Sequence, residues 1–114
     1  DVDLDRVRKA IENQRTAAQK TLQEQQNGNN LVKKYEQLTL ASSFIGNSDQ
    51  CKNLQSQDEK DKCAKDYENK KAEADKAKKE LPELNRLINE NEQAIDQAIK
   101  DETTAKLDLC LAQF

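Results

Sequence analysis

The sequence predicts an all-α fold: an elongated antiparallel bundle of three long helices, or four, with coiled-coil-like packing. Three observations carry this. Gly and Pro, the residues that most disfavour helix, number only 2 and 1 in 114 residues. The β-branched and aromatic residues that suit a pleated sheet are scarce, aromatics making up 4% of the chain. The 19 basic and 22 acidic residues are interleaved rather than segregated, so they can pair along a solvated helix face. The apolar share is 34%, well under the roughly 45 to 50% of an average globular domain, so a thick multilayered core is not expected. The length fits one domain, residues 1–114.

The first helix is expected over about residues 4–45. Asp1, Asp3 and Asp5 supply acceptors and negative charge where free backbone N–H groups and the positive dipole end lie. Its apolar face reads Leu4, Val7, Ile11, Ala18 and Leu22. Asn27 and Gly28, followed by two more Asn, are turn chemistry. The apolar pattern nevertheless resumes at Leu31, Tyr35, Leu38 and Ile45, so a break at 27–30 and a continuous helix with a weak point both fit. Residues 38–45 begin with a strand-like alternation, but a lone strand would have no partner. Gly46 suits the left-handed position after a helix, and Asn47, Ser48 and Asp49 follow as turn residues, opening a polar loop over 46–56.

Ser56 and Glu59 match a capping box, which starts a second helix at Gln57 and runs it to about residue 80. From Cys63 onward a heptad grid fits, with Tyr67, Ala74, Leu81, Ile88, Ile95, Glu102 and Leu109 in one row. The companion row is Cys63, Lys70, Ala77, Leu84, Asn91, Ala98 and Ala105. Leu87, Ile99 and Leu107 widen this seam, which suits a helix touching two neighbours. Pro82 would cost ~3 kcal/mol inside a helix and nothing at a first helical position. A turn at Leu81 and Pro82 is therefore preferred over a kink, giving a third helix over 82–112.

Cys51 and Cys63 would lie ~18 Å apart in one uninterrupted helix, beyond the ~7 Å a disulfide spans. The break before Ser56 removes that obstacle, so Cys51/Cys63 is the first disulfide expected. Cys51/Cys110 is second, and requires the reversal at Pro82. The odd thiol suggests an interchain bond and a homo-oligomer, a different partner, or simple burial. If the cell is reducing, all three cysteines are small core residues.

No metal site or cofactor is expected: the chain has no His, and its cysteines lack paired C-x2-C spacing. No catalytic residue is assigned, since groups such as Glu68, Lys71 and Asp75 read as helix-surface ion pairs. Nucleic-acid binding is disfavoured because the lysines from Lys60 to Lys79 are interleaved with Asp and Glu. No apolar run approaches the ~20 residues of a membrane span, so no membrane insertion is expected. The abrupt opening is that of a mature or excised domain, compatible with a cleaved leader.

The reading that follows is a non-enzymatic, extracytoplasmic structural or protein-recognition module: a disulfide-stapled bundle of a periplasmic, secreted or cell-surface protein. Its partner would be another protein, met through Gln50, Lys52 and Gln55 in the polar loop. The alternative is a cytosolic coiled-coil scaffold or assembly factor with incidental thiols. A weaker one is a periplasmic helical chaperone with Leu38, Leu40, Phe44 and Ile45 as client surface, although bundle core is the plainer role for that patch.

Overall fold

In the computed structural model, which describes residues 3–46 and 48–114, two long helices account for most of the chain. Helix α1 spans Leu4–Ser42 and helix α2 spans Gln57–Ala112, with a short 3₁₀ turn at Ser48–Asn53 between them. No strand occurs among the described residues. The three or four helices expected are thus two: α1 runs through Asn27 and Gly28, one of the two readings open there, and α2 runs through Pro82 in place of the expected turn.

The helix ends follow from local chemistry. Asp3 caps α1, its Oδ1 accepting from the backbone N–H of Asp5 at 3.0 Å and of Arg6 at 3.3 Å. Asp1 lies outside the described residues, as does Asn47 in the loop. At the other end, α1 stops three residues before Ile45. The hydroxyls of Ser42 and Ser43 donate to the Thr39 and Leu40 carbonyls at 2.9 and 2.7 Å and satisfy groups that a further turn would have used. Gly46 is not in the left-handed region; a Cβ there would run into the Phe44 ring, so close approach rather than backbone freedom requires glycine. Ser56 caps α2, its Oγ accepting from the Glu59 N–H at 3.1 Å.

The chain divides into two compact units, Asp1–Val32 with Leu87–Phe114, and Lys33–Arg86. In the first, α1 and α2 run antiparallel, and the fully buried positions of the seam between them are small residues. Ala10, Thr21, Ala98, Ala105 and Ala112 are buried, and Gly28 faces Asn91 and Ile95. This corrects the apolar face expected for α1. Leu4, Ile11 and Leu22 are 73, 41 and 59% exposed, while the row Val7, Gln14, Thr21, Gly28 and its companion Ala10, Ala17, Glu24, Leu31 face inward. Small residues permit close helix approach, and an Asn fits the seam because its amide donates to the Glu24 carbonyl at 3.0 Å and to Glu24 Oε2 at 3.3 Å.

In the second unit the buried residues are Cys51, Ala74, Ala77 and Leu84. Ala77 and Leu84 lie on either side of Pro82, so the apolar row passes the proline without a change of face. Pro82 itself is exposed, which keeps its ring out of the packing, although its missing N–H removes one helical hydrogen bond. Beside it, Glu83 accepts from Arg86 Nε at 3.1 Å and also pairs with Arg86 Nη2. That guanidinium holds the exposed Glu83 carboxyl below its ordinary range.

Candidate functional site: the disulfide-pinned loop

The chain reverses over residues 43–56, and two contacts fix the reversal. Cys51 and Cys63 form a disulfide, with Cα atoms 5.5 Å apart and a separation of 12 positions in sequence. Behind it the Phe44 and Tyr67 rings meet at 5.9 Å between centroids, tilted by 58°. The 3₁₀ turn carries Cys51 inward until it is 7% exposed, and its N-terminal placement of α2 brings Cys63 within bonding reach. Leu54 N–H closes the turn on the Cys51 carbonyl at 3.5 Å.

The polar residues expected to meet a partner all lie on the outside of this staple. Gln50, Lys52 and Gln55 are exposed, and Lys52 Nζ pairs with Asp49 Oδ1 at 2.9 Å across one turn. The expectation that residues 38–45 would be bundle core is corrected in part. Leu38 and Phe44 are half-buried, but Leu40 is 76% and Ile45 97% exposed. Ile45 therefore joins the loop as an apolar surface residue that reasoning from periodicity missed. The signal was the adjacent pair Ser42 and Ser43, whose hydroxyls compete for helix carbonyls and end α1 before Ile45 can complete the row.

Cys110 is not bonded to Cys51, whose sulfur is taken by Cys63. It is an exposed free thiol near the end of α2, and the continuous helix through Pro82 removes the reversal on which a Cys51/Cys110 bond depended.

A recess of about 170 Å³ next to the disulfide is lined by Phe44, Ile45, Gln50, Tyr67, Asp66 and Lys70 together with the two half-cystines. It is smaller than the roughly 300 to 1,000 Å³ of small-molecule sites. A protein side chain is the size of group it accepts. In the other unit, open grooves of about 370 and 450 Å³ follow one flank of the seam, between Arg6, Asn13 and Lys20 on α1 and Asp101 and Asp108 on α2. No group of three or more His, Cys, Asp or Glu among the described residues is placed to hold a metal ion. No helix among them is long and apolar enough to cross a membrane. The chain matches no known protein family, no curated protein and no solved structure.

Proposed function

We propose that this chain is a non-enzymatic protein-recognition module working outside the cytoplasm, with the pinned loop as its contact surface. The observation that carries the reading is the Cys51–Cys63 disulfide at the chain reversal. Disulfides persist in oxidising compartments and are reduced in the cytosol, so a structural role for this one implies a periplasmic, secreted or surface location. A staple here fixes the segment that joins the two long helices, and loops held by rigid elements are where binding residues concentrate. Gln50, Lys52 and Gln55 present donors and acceptors on that segment, and Ile45 and Leu54 add apolar surface beside them. The absence of His from the sequence supports leaving catalysis out of the reading.

Counting thiols in protein taken from its native host, denatured without reductant, tests the location. One reactive thiol, Cys110, is expected; three would refute the extracytoplasmic reading. Replacing Gln50, Lys52 and Gln55 together by Ala tests the surface. A partner crosslinked from the host's envelope fraction should then be lost while the melting temperature stays unchanged, and unaltered capture would remove the loop from consideration.

The exposure of Leu40 and Ile45 favours a second reading, a periplasmic helical chaperone that offers apolar side chains to unfolded clients. Suppression of client aggregation that depends on Leu40 and Ile45 but not on Gln50, Lys52 and Gln55 would select it over specific recognition.

A further inference from the structure

Several large apolar side chains of the unit Asp1–Val32 with Leu87–Phe114 stand outside its seam, although Leu31 and Ile95 face into it. Leu4, Ile11 and Val32 stand at one-heptad or multiple-heptad spacing on α1, with Ala18 between them, and are 73, 41 and 47% exposed. Gly28 against Asn91, and Ala17 beside Ala98 and Ala105, set the register of the two helices. That register puts Ala18 level with Ile99, Ile11 with Lys106 and Gln25 with Glu92. The open grooves run along the flank carrying Asn13, Lys20, Asp101 and Asp108, so the apolar row of α1 and Ile99 of α2 share the opposite flank. Leu22, 59% exposed, lies one turn from Ala18 on that same side.

We infer that this flank is the interface of a homodimer in which a second copy docks antiparallel about a two-fold axis at the level of Ala18 and Ile99. Two properties of the flank select a second copy as its occupant. The first is charge. The half toward the start of α1 carries Arg15 and Lys106, and the other half carries Glu92 and Asp96. All four are exposed. A two-fold through the centre sets Lys106 against Glu92 of the second copy, Arg15 against its Asp96, and Leu4 against its Val32. An isologous interface needs this self-complementarity, and a parallel pairing would oppose like charges. The second property is area. From Leu4 to Val32 the flank is about 42 Å long at 1.5 Å per residue. Two helices side by side are ~20 Å wide, so the face offers on the order of 800 Å² per partner, the size of a standard stable interface. The fully buried positions of the seam within one copy are mainly Ala, so the four-helix arrangement adds a layer of large apolar residues to the unit. This surface is separate from the loop at residues 43–56, and the dimer stands or falls independently of what that loop binds.

Sedimentation equilibrium of the full chain over micromolar to millimolar protein tests the inference, and dimer is the expected species. Lys106→Glu should weaken it at least tenfold, and the double swap Lys106→Glu with Glu92→Lys should restore it. Both residues are exposed, so circular dichroism should show unchanged helix content in each variant. In a Cys110→Ala background, Ile99→Cys should crosslink the two copies under mild oxidation. Wild-type Cys110 should not, because the two-fold places its copies about 33 Å apart. A monomer throughout the range would overturn the inference. So would a dimer that is indifferent to the charge swap, or one that crosslinks through Cys110.

Discussion

Gly28 is the socket in which Asn91 sits: a Cβ at position 28 would stand 2.6 Å from Asn91 Oδ1 while Asn91 Nδ2 is tied to the Glu24 carbonyl at 3.0 Å. The glycine that reads as a turn signal is in the middle of a helix because a neighbour's polar side chain occupies the space its side chain would fill. Glycine in a helix interior costs about 1 kcal/mol relative to Ala. The Asn91 amide hydrogen bonds offset that cost, at about 1 kcal/mol for each good one.

Gly28→Ala should therefore have opposite signs in two backgrounds. With Asn91 present, the new methyl displaces an amide held by two hydrogen bonds, and stability should fall by about 1 kcal/mol. With Asn91→Ala the space is open and helix propensity dominates, so the same substitution should raise stability by about 1 kcal/mol. Urea unfolding of the four proteins measures the coupling, and equal effects in both backgrounds would show that the socket has no energetic role.

The seam makes a second contrast between neighbours. Ala105 is 8% exposed and Leu107 is 57% exposed. Ala105→Leu forces three extra heavy atoms into close-packed helices and should cost about 1 to 3 kcal/mol. Leu107→Ala should change stability by no more than about 0.5 kcal/mol. A chain whose large residues formed the core would give the reverse order.

Reduction of Cys51–Cys63 should lower stability by about 3 kcal/mol, the chain-entropy value for closing so short a loop. The midpoint of urea unfolding with and without reductant reads this directly. Cys51→Ala with Cys63→Ala should reproduce the reduced value and then be insensitive to reductant. Hydrogen exchange should quicken first around the 3₁₀ turn at Ser48–Asn53, whose closure depends on the Cys51 carbonyl. An unchanged midpoint on reduction would mean the Phe44 and Tyr67 contact suffices to hold the reversal.

Glu83 offers a check on surface electrostatics. Arg86 lowers its carboxyl pKa, so the folded form favours the charged state. The stabilisation is present above the unfolded pKa and disappears as pH falls through the folded one, the window lying at and below ordinary carboxylate values. Carboxyl carbon resonances followed by NMR should show Glu83 titrating at lower pH than exposed glutamates with no cation beside them. High salt should narrow the gap, because the pair is solvent-exposed. A midpoint equal to theirs at low salt would mean the fork does not persist in solution.

How much of this was legible in the sequence depends on which residues decide. The helical class, the Gln57 start and the inward row of α2 follow from local propensity, the Ser56 cap and heptad spacing, all of which are properties of a single strand of sequence. The inward row of α1 was not legible, because Leu4, Ile11 and Leu22 look like a core until Ala98 and Ala105 of α2 demand small residues opposite them. Gly28 failed for the same reason: its cause is Asn91, on the other helix. Within the loop the polar residues and the half-cystines were visible, but Ile45 was not, since its exposure follows from where two serine hydroxyls stop the helix.

Pro82 lies inside α2 although its own chemistry favours a turn. A proline at that position removes one backbone hydrogen bond, yet the row from Ala77 to Leu84 keeps a single buried face across it. Burial of that row outweighs a local penalty of ~3 kcal/mol, so the helix continues and carries the defect. Pro82→Ala should then stabilise the protein. The gain is the restored hydrogen bond and relieved crowding, less the ~0.4 to 1 kcal/mol by which proline restrains the unfolded chain, leaving about 2 kcal/mol. The denaturation midpoint should rise with the slope unchanged, because no additional surface is buried. A turn at residues 81–82 would behave oppositely: Ala would relax a conformation that proline favours, and the midpoint would fall.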